Sequence, residues 1–148
     1  MDDHDLFRTG LRTLLEEQEV DVVGEADTGT RALEQICETA PEVVVMDLNM
    51  PGISGVEATR QIAMIAPLTR VLVLTISDQD ADVMDAILAG ACGYLLKDSS
   101  IDELMAGIRA AAASSRREAI SPWATAAVIF PIRCWSRQRS ASSARARA

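Results

Sequence analysis

The feature that most constrains this 148-residue chain is an apolar strand that ends in a carboxylate. Residues 43–47 read Val-Val-Val-Met-Asp, and a loop with one proline and two glycines follows at Leu48–Gly55. Strands that are apolar throughout are typical of parallel sheets that are covered by helices on both faces. We therefore expect Asp47 to lie at the mouth of such a sheet, where the loop begins.

The rest of residues 1–113 alternates between strand and helix patterns. Short apolar runs predict strands at Val20–Ala26, Val43–Asp47, Arg70–Thr75 and Gly93–Leu96. Helices are predicted before and after each strand, in the order α-β-α-β-α-β-α-β-α. This alternation favours an α/β fold in which one parallel sheet lies between two layers of helices.

Apolar residues at helical spacing mark the expected buried faces of the helices. The first helix is expected to begin at an Asp5 cap, and the fourth to span Asp80–Ala89. Ser54 and Glu57 form a capping box at the start of the third helix, and Ser100 caps the fifth. The expected buried positions are Phe7, Leu11, Leu14, Leu15, Leu33, Ile36, Cys37, Ala40, Val83, Ile87, Leu88, Ala91, Ile101, Leu104, Met105 and Ile108.

Charge is divided unevenly along the chain. Residues 1–113 hold 21 acidic and 7 basic residues, a net charge of −14, whereas residues 114–148 carry a net charge of +6, which gives the −8 of the whole chain. Contacts to nucleic-acid phosphates need cations, so the acidic body is not expected to bind DNA. The Arg/Ser/Ala tail has the composition of a disordered segment, although it could also bind nucleic acid without specificity.

The composition also bears on the compartment. No run of about 18 apolar residues predicts a membrane span, and the acidic start does not resemble a secretory leader. Three cysteines with no metal-binding spacing predict free thiols in a reducing cytoplasm. We expect Cys37 and Cys92 to be small residues of the core.

Several polar residues stand where the predicted elements begin or end. Asp2 and Asp3 open the chain, Asp47 and Thr75 end two strands, and Lys97 directly follows a third. Three carboxylates, an ammonium and a hydroxyl are the groups of a site that binds Mg²⁺ and takes up a phosphoryl group. Because a carboxylate can attack phosphorus to give an acyl phosphate, Asp47 is the predicted acceptor.

Four motifs together resemble the receiver domain of two-component response regulators, in particular the NarL/FixJ type of the LuxR class. They are Asp2-Asp3-His4, Met46–Gly52, Leu74-Thr75 and Gly93–Asp98, and they cover roughly residues 2–113 in the expected order. The resemblance implies a flavodoxin-like, or CheY-like, doubly wound parallel sheet with strand order 2-1-3-4-5. Ligands of that fold bind beyond the carboxyl ends of the first and third strands.

The resemblance also implies roles for single residues. Asp47 would accept the phosphoryl group, and Lys97 and Thr75 would bind its oxygens. Tyr94 would act with Thr75 as a switch. The implied metal ligands are Asp3, Asp47, the backbone carbonyl of Asn49 and, through a water molecule, Asp2.

The partners implied by the resemblance are those of a cytoplasmic bacterial signalling protein. A sensor histidine kinase, or a small donor such as acetyl phosphate, would supply the phosphoryl group. The new charge would change a surface formed by the fourth helix, the fifth strand and the fifth helix, often to allow homodimerisation and usually to regulate transcription. The chain would not be an enzyme beyond its own phosphorylation and dephosphorylation.

The sequence departs from the family at both ends. The apolar first strand that precedes the acidic pair is missing except for Met1, and its loss forfeits on the order of 6–12 kcal/mol of burial. To explain the missing strand, we expect a start site assigned too late or a shortened chain. A less favoured alternative is that Ala127–Ile132 fills the place of this strand in the sheet. Pro131 opposes that alternative, because proline has no N–H to donate to a neighbouring strand. The irregular basic tail at 114–148 is too short for a helix-turn-helix domain, so we expect no DNA binding through this chain. The Arg/Ser/Ala composition of the tail resembles the product of a reading-frame change or a degenerate end.

Two other functions compete with the phosphoreceiver. An aspartate-nucleophile phosphatase of the haloacid-dehalogenase type also places its nucleophile after an apolar strand, but it needs an acid two residues later, where Asn49 stands. A receiver remnant whose site does not assemble would act as an interaction module that needs no phosphate. Mg²⁺-dependent phosphoryl uptake separates this remnant from a working receiver.

Overall fold

The computed structural model describes residues 3–76 and 80–115, and the side chains of residues 6–76 and 81–114. Asp2, the Ala127–Ile132 stretch and the basic tail beyond Ser115 lie outside the described residues. The helices are α1 (Asp3–Glu17), α2 (Gly29–Thr39), α3 (Gly55–Ile65), α4 (Asp80–Leu88) and α5 (Ile101–Ser115), and the strands are β1 (Val43–Asp47), β2 (Arg70–Thr75) and β3 (Gly93–Leu96).

The three strands form one parallel sheet in the order β1-β2-β3. Their bounds agree with the prediction, and they are the last three strands expected from the sequence. The register pairs Asp47 with Leu74, and Thr75 with Leu96, so the carboxyl ends of all three strands lie at one edge of the sheet. Every residue of β1 is buried, because helices cover both faces of the sheet, as predicted.

The predicted strand Val20–Ala26 is wrong, since no residue of this segment pairs with a strand among the described residues. Val20 and Val22 are nevertheless buried in the same core as β1. In the strand order expected from the sequence, this segment pairs only with the family's first strand. Its apolar residues are therefore buried in the described part of the chain without the ladder that defines a strand.

Side chains hold this segment in place instead of a ladder. The Glu25 carboxylate accepts from Arg12 Nη1 at 2.7 Å and lies 3.6 Å from Arg8 Nε, both on α1. The backbone carbonyl of Glu25 accepts from the Gln35 amide of α2 at 2.6 Å. At the other end, the Val20 N–H donates to the Leu15 carbonyl at 3.0 Å. Helices on both sides thus fix the position of the segment.

The edge of β1 that faces away from β2 has no partner strand among the residues that the structure describes. The Glu42 carbonyl accepts from the Arg70 N–H on the β2 side. Because backbone groups alternate along a strand, those of Val43 and Val45 face the opposite edge. Both residues are only 2% exposed, so this edge is buried as well as unpaired with a described strand.

Several expected details of the helices are wrong. Helix α1 already begins at Asp3, so Asp5 is not its cap. Leu14 and Leu88 are 43% and 77% exposed, and Cys37 is exposed whereas Cys92 is buried. The helices are turned so that smaller or neighbouring residues face the core, because the closest approach to the sheet is made by the smallest side chains. The residues that replace the expected ones are Ala32, Ala86 and Ala89.

Two helices begin with caps that the sequence predicted. The Ser54 hydroxyl accepts from the Glu57 N–H at 3.3 Å, but the Glu57 carboxylate turns to Arg60 and Gln61, so the box is only half formed. At α5 the capping box is complete, since the Ser100 hydroxyl accepts from the Glu103 N–H and the Glu103 carboxylate accepts from the Ser100 N–H at 2.8 Å.

In the described part of the chain, no helix combines the length and apolar character needed to cross a lipid bilayer.

The capping box of α5 predicts a pH dependence of stability. The backbone N–H of Ser100, and then its hydroxyl, lower the pKa of Glu103 below its usual value of 4.5. A carboxyl whose folded-state pKa is lowered stabilises the fold above its unfolded value and loses that effect as pH falls through the folded value. We therefore expect Glu103→Gln to lower the thermal midpoint near neutral pH and to match the parent chain well below pH 4.5.

Thermal unfolding followed by circular dichroism across this pH range measures the difference. Glu38→Gln, at an exposed position of α2, is the matched control. A difference between parent and Glu103→Gln that stays constant down to the acid limit would contradict the prediction.

Candidate functional site

Asp47 ends β1 with its side chain almost completely buried. Its Oδ2 accepts from Lys97 Nζ at 2.8 Å, and its Oδ1 accepts from the backbone N–H of Asn49 at 3.0 Å. The side chains of Asp47 and Lys97 are 3% and 13% exposed. Charge-assisted hydrogen bonds of this kind hold a buried carboxylate in one orientation. The structure therefore presents a fixed carboxylate oxygen beside a cation.

The loop after Asp47 depends on a close approach of α3. The Gly55 N–H donates to the Leu48 carbonyl at 3.1 Å. A Cβ on Gly55 would overlap the carbonyl oxygen of Asp47 and come within 2.6 Å of Leu48 Cα. Gly52 also has a φ of +84°, which few other residues adopt. The two glycines thus shape the loop that follows the carboxylate.

Lys97 follows β3 and reaches back across β2 to Asp47. Its backbone N–H donates to the Thr75 carbonyl at 2.8 Å, which ties it to the end of β2. Its Nζ lies 5.3 Å from the centre of the Phe7 ring on α1. No sequence pattern predicted this contact, because Phe7 fitted the apolar stripe of α1 and the residue that it meets depends on how α1 packs.

Thr75 and Tyr94 lie on adjacent strands and on one face of the sheet. Thr75 ends β2 and is 1% exposed, whereas Tyr94 is 47% exposed. Tyr94 is in register with Val73, two residues before Thr75, and residues two apart on a strand share a face. The geometry agrees with the predicted coupling of these residues, which stays a prediction.

The expected metal ligands are described only in part. Asp3 is the first residue of α1, and its side chain, like the whole of Asp2, lies outside the described residues. Within the described residues, no three acidic, histidine or cysteine side chains cluster so that they could hold a metal ion. Asp47 and the Asn49 carbonyl do supply hard oxygen donors of the type that Mg²⁺ prefers.

Chemically, the described residues bring a nucleophile and a cation together. A carboxylate that is fixed beside an ammonium can bond to phosphorus while the ammonium binds the incoming oxygens. Asn49, two residues after the carboxylate, bonds to it through its backbone and carries no acidic proton in its side chain. The site thus has a carboxylate nucleophile beside a cation, and at the position of Asn49 it has no general acid of the kind that the phosphatase alternative needs.

Comparisons with known proteins point to one protein family. A family model described as the response regulator receiver domain matches residues 1–109. The response regulator GacA of Pseudomonas aeruginosa is 41% identical over 117 residues, which cover 78% of this chain and 55% of GacA. The transcriptional regulatory protein DegU of Brevibacillus brevis is 41% identical over 113 residues, which cover 76% of this chain and 48% of DegU. The chain thus spans about half the length of these relatives.

Solved structures agree in fold. A two-component response regulator of the LuxR family from Aurantimonas sp. SI85-9A1 is 40% identical and superposes with a TM-score of 0.71, covering 76% of this chain and 81% of that one. A CheY-like response regulator receiver domain protein from Methanospirillum hungatei JF-1 has a TM-score of 0.72 at 20% identity, over 79% of this chain and 93% of that one. The predicted CheY-like fold is therefore confirmed.

The close approach at Gly55 gives a prediction about the loop that follows Asp47. Gly55→Ala should destabilise the fold by roughly 1–3 kcal/mol, because its methyl group has to displace the backbone of Asp47 and Leu48. Gly10→Ala is the matched control, since nothing lies within 4 Å of a Cβ there. This control should stabilise the middle of α1 by about 0.5–1 kcal/mol.

Urea unfolding of both variants measures these free energies. Equal stability of Gly55→Ala and the parent chain would show that α3 does not approach the loop as closely as described.

Proposed function

The chain belongs to the response regulator receiver domain family, and from this premise we propose that it accepts a phosphoryl group on Asp47 from a sensor histidine kinase. Receiver domains pair with such kinases in two-component systems. The observation that carries the proposal is the buried ion pair of Asp47 and Lys97 at the carboxyl ends of the strands. Ligands of this fold bind beyond the carboxyl ends of the strands, and the buried carboxylate lies at that edge of the sheet. A carboxylate that only stabilised the fold would not need this position.

In the proposed reaction, a carboxylate oxygen of Asp47 bonds to phosphorus. The bond from phosphorus to the phosphohistidine nitrogen, or to the acyl oxygen of acetyl phosphate, breaks, and the leaving group takes the electron pair. The product is an acyl phosphate on Asp47. The protein's own part is to accept the group and later release it to water, so we propose a phosphoacceptor and not an enzyme with turnover.

Lys97 and Thr75 are the proposed donors to the phosphoryl oxygens. Lys97 Nζ is 2.8 Å from Asp47 Oδ2 in the described state and can transfer its hydrogen bond to an oxygen bonded to phosphorus. The Thr75 hydroxyl lies at the end of the strand between those of Asp47 and Lys97. The donors of the site are thus side chains that a rigid sheet already holds near the acceptor.

We propose Mg²⁺ as the metal of this site. Asp47 and the Asn49 carbonyl would bind it with Asp3, and with Asp2 through water, all of them hard oxygen donors. Bound Mg²⁺ neutralises charge on the phosphoryl oxygens. This part of the proposal rests on the chemistry of the donors and on family membership.

The proposed output is a change at the surface formed by α4, β3 and α5. Tyr94 of β3 is 47% exposed at this surface and shares a sheet face with the buried Thr75. Movement of Thr75 toward a phosphoryl group would alter the space available to Tyr94, which biases a two-state surface. We propose homodimerisation as the result, with regulation of transcription as the role that the names of the relatives indicate.

Phosphoryl uptake is the direct test of this function. After incubation with acetyl phosphate and Mg²⁺, intact-mass spectrometry should show the addition of one phosphoryl group to the chain. The Asp47→Asn variant should show none, because an amide oxygen is a poor nucleophile toward phosphorus. Chelation of the metal should abolish uptake by the parent chain.

Two outcomes would contradict the proposal. Uptake that persists in Asp47→Asn would place the acceptor elsewhere. No uptake by a chain shown to be folded by circular dichroism would favour the interaction module that acts without phosphate.

A further inference from the structure

Phe7 is an aromatic side chain of α1 that lies beside the lysine of the proposed phosphoacceptor pair. Its ring centre lies 5.3 Å from Lys97 Nζ, within the distance at which the face of a ring attracts a cation. The same Nζ donates to Asp47 at 2.8 Å. The ammonium therefore contacts a carboxylate and the ring of Phe7.

The surroundings of Lys97 strengthen this contact. A cavity of about 210 Å³ opens beside the lysine between α1 and α5. Its walls are mostly apolar, and Lys97 itself is only 13% exposed. The attraction between a cation and a ring is strongest where water is largely excluded. The residues that line the cavity with Phe7 and Lys97 include Leu11, Leu74, Leu96 and Ile101.

We propose that Phe7 is a positioning residue for phosphorylation, which acts by holding the Lys97 ammonium at the acceptor carboxylate. This inference rests on the proposed function of the Asp47 site. A long lysine side chain has many rotamers, and a ring on one side of its ammonium removes most of those that point away from Asp47. Phe7 thus keeps the cation where the phosphoryl oxygens would arrive.

The chain contains a single lysine, so labelling of lysine with ¹³C and ¹⁵N gives NMR signals from Lys97 alone. In the parent chain, the ring current of Phe7 should displace the signals of the ε-methylene protons upfield. Phe7→Leu should abolish this displacement, and Phe7→Tyr should retain it. Leu11→Val, one turn further along α1 and also at the cavity wall, is the control for a loss of packing.

The rate of phosphorylation by acetyl phosphate with Mg²⁺ tests the positioning role. Phe7→Leu should slow the initial rate by about threefold to tenfold, which is the size of effect expected from losing a partly buried cation–π contact. Phe7→Tyr should keep the parent rate of phosphorylation, and the rate of Leu11→Val should stay near the parent value.

The outcomes separate this inference from the proposed function. Lysine signals that do not move in Phe7→Leu, or a rate equal to that of the parent chain, would overturn the role of Phe7. A parent chain that takes up no phosphoryl group would overturn the proposed function, while the lysine signals would still show whether Phe7 holds Lys97.

Discussion

The ion pair between Asp47 and Lys97 is the interaction on which the rest of the site depends. Its partners are 50 residues apart, since Asp47 ends β1 and Lys97 directly follows β3, the two strands that flank β2. Two strand spacings amount to roughly 10 Å, a distance that only a long side chain can span from one strand end to the other. The parallel register places both residues at the same edge of the sheet, so the site forms only when the sheet forms.

The backbone beside this pair is as constrained as the side chains. β1 can present a buried carboxylate only if the loop that leads to α3 does not cover it. Gly55 permits that loop because its missing Cβ leaves room for the Asp47 carbonyl. The cap at Ser54 then starts the helix directly after the loop. Loop, cap and glycine together explain why the carboxylate points toward Lys97 and Asn49.

The sequence predicted those strands and helices that are determined by their own residues. The continuous apolar runs at Val43–Asp47 and Arg70–Thr75 matched the observed strands residue for residue, because burial on both faces requires such runs. Val20–Ala26 failed because strand formation also needs a neighbour, which no pattern within the segment reports. Leu88 and Cys37 failed because helical spacing defines a face only to within about one residue.

The candidate site was predictable to a similar extent. Asp47, Thr75 and Lys97 follow from strand ends and family motifs, and the parallel sheet brings their strand ends together. The contact of Phe7 with Lys97 could not be predicted, because it depends on the rotation of α1 against the sheet. Spacing along one helix gives no information about which residue of another element its side chain meets.

The buried edge of β1 has a consequence for how the protein behaves in solution. Peptide groups at Val43 and Val45 face an edge that is buried and has no ladder partner among the described residues, and a buried peptide group needs a hydrogen-bond partner. A valine-rich strand edge of this kind, where it becomes exposed, is a template for pairing with another chain. Association of copies through such an edge would then rise with protein concentration.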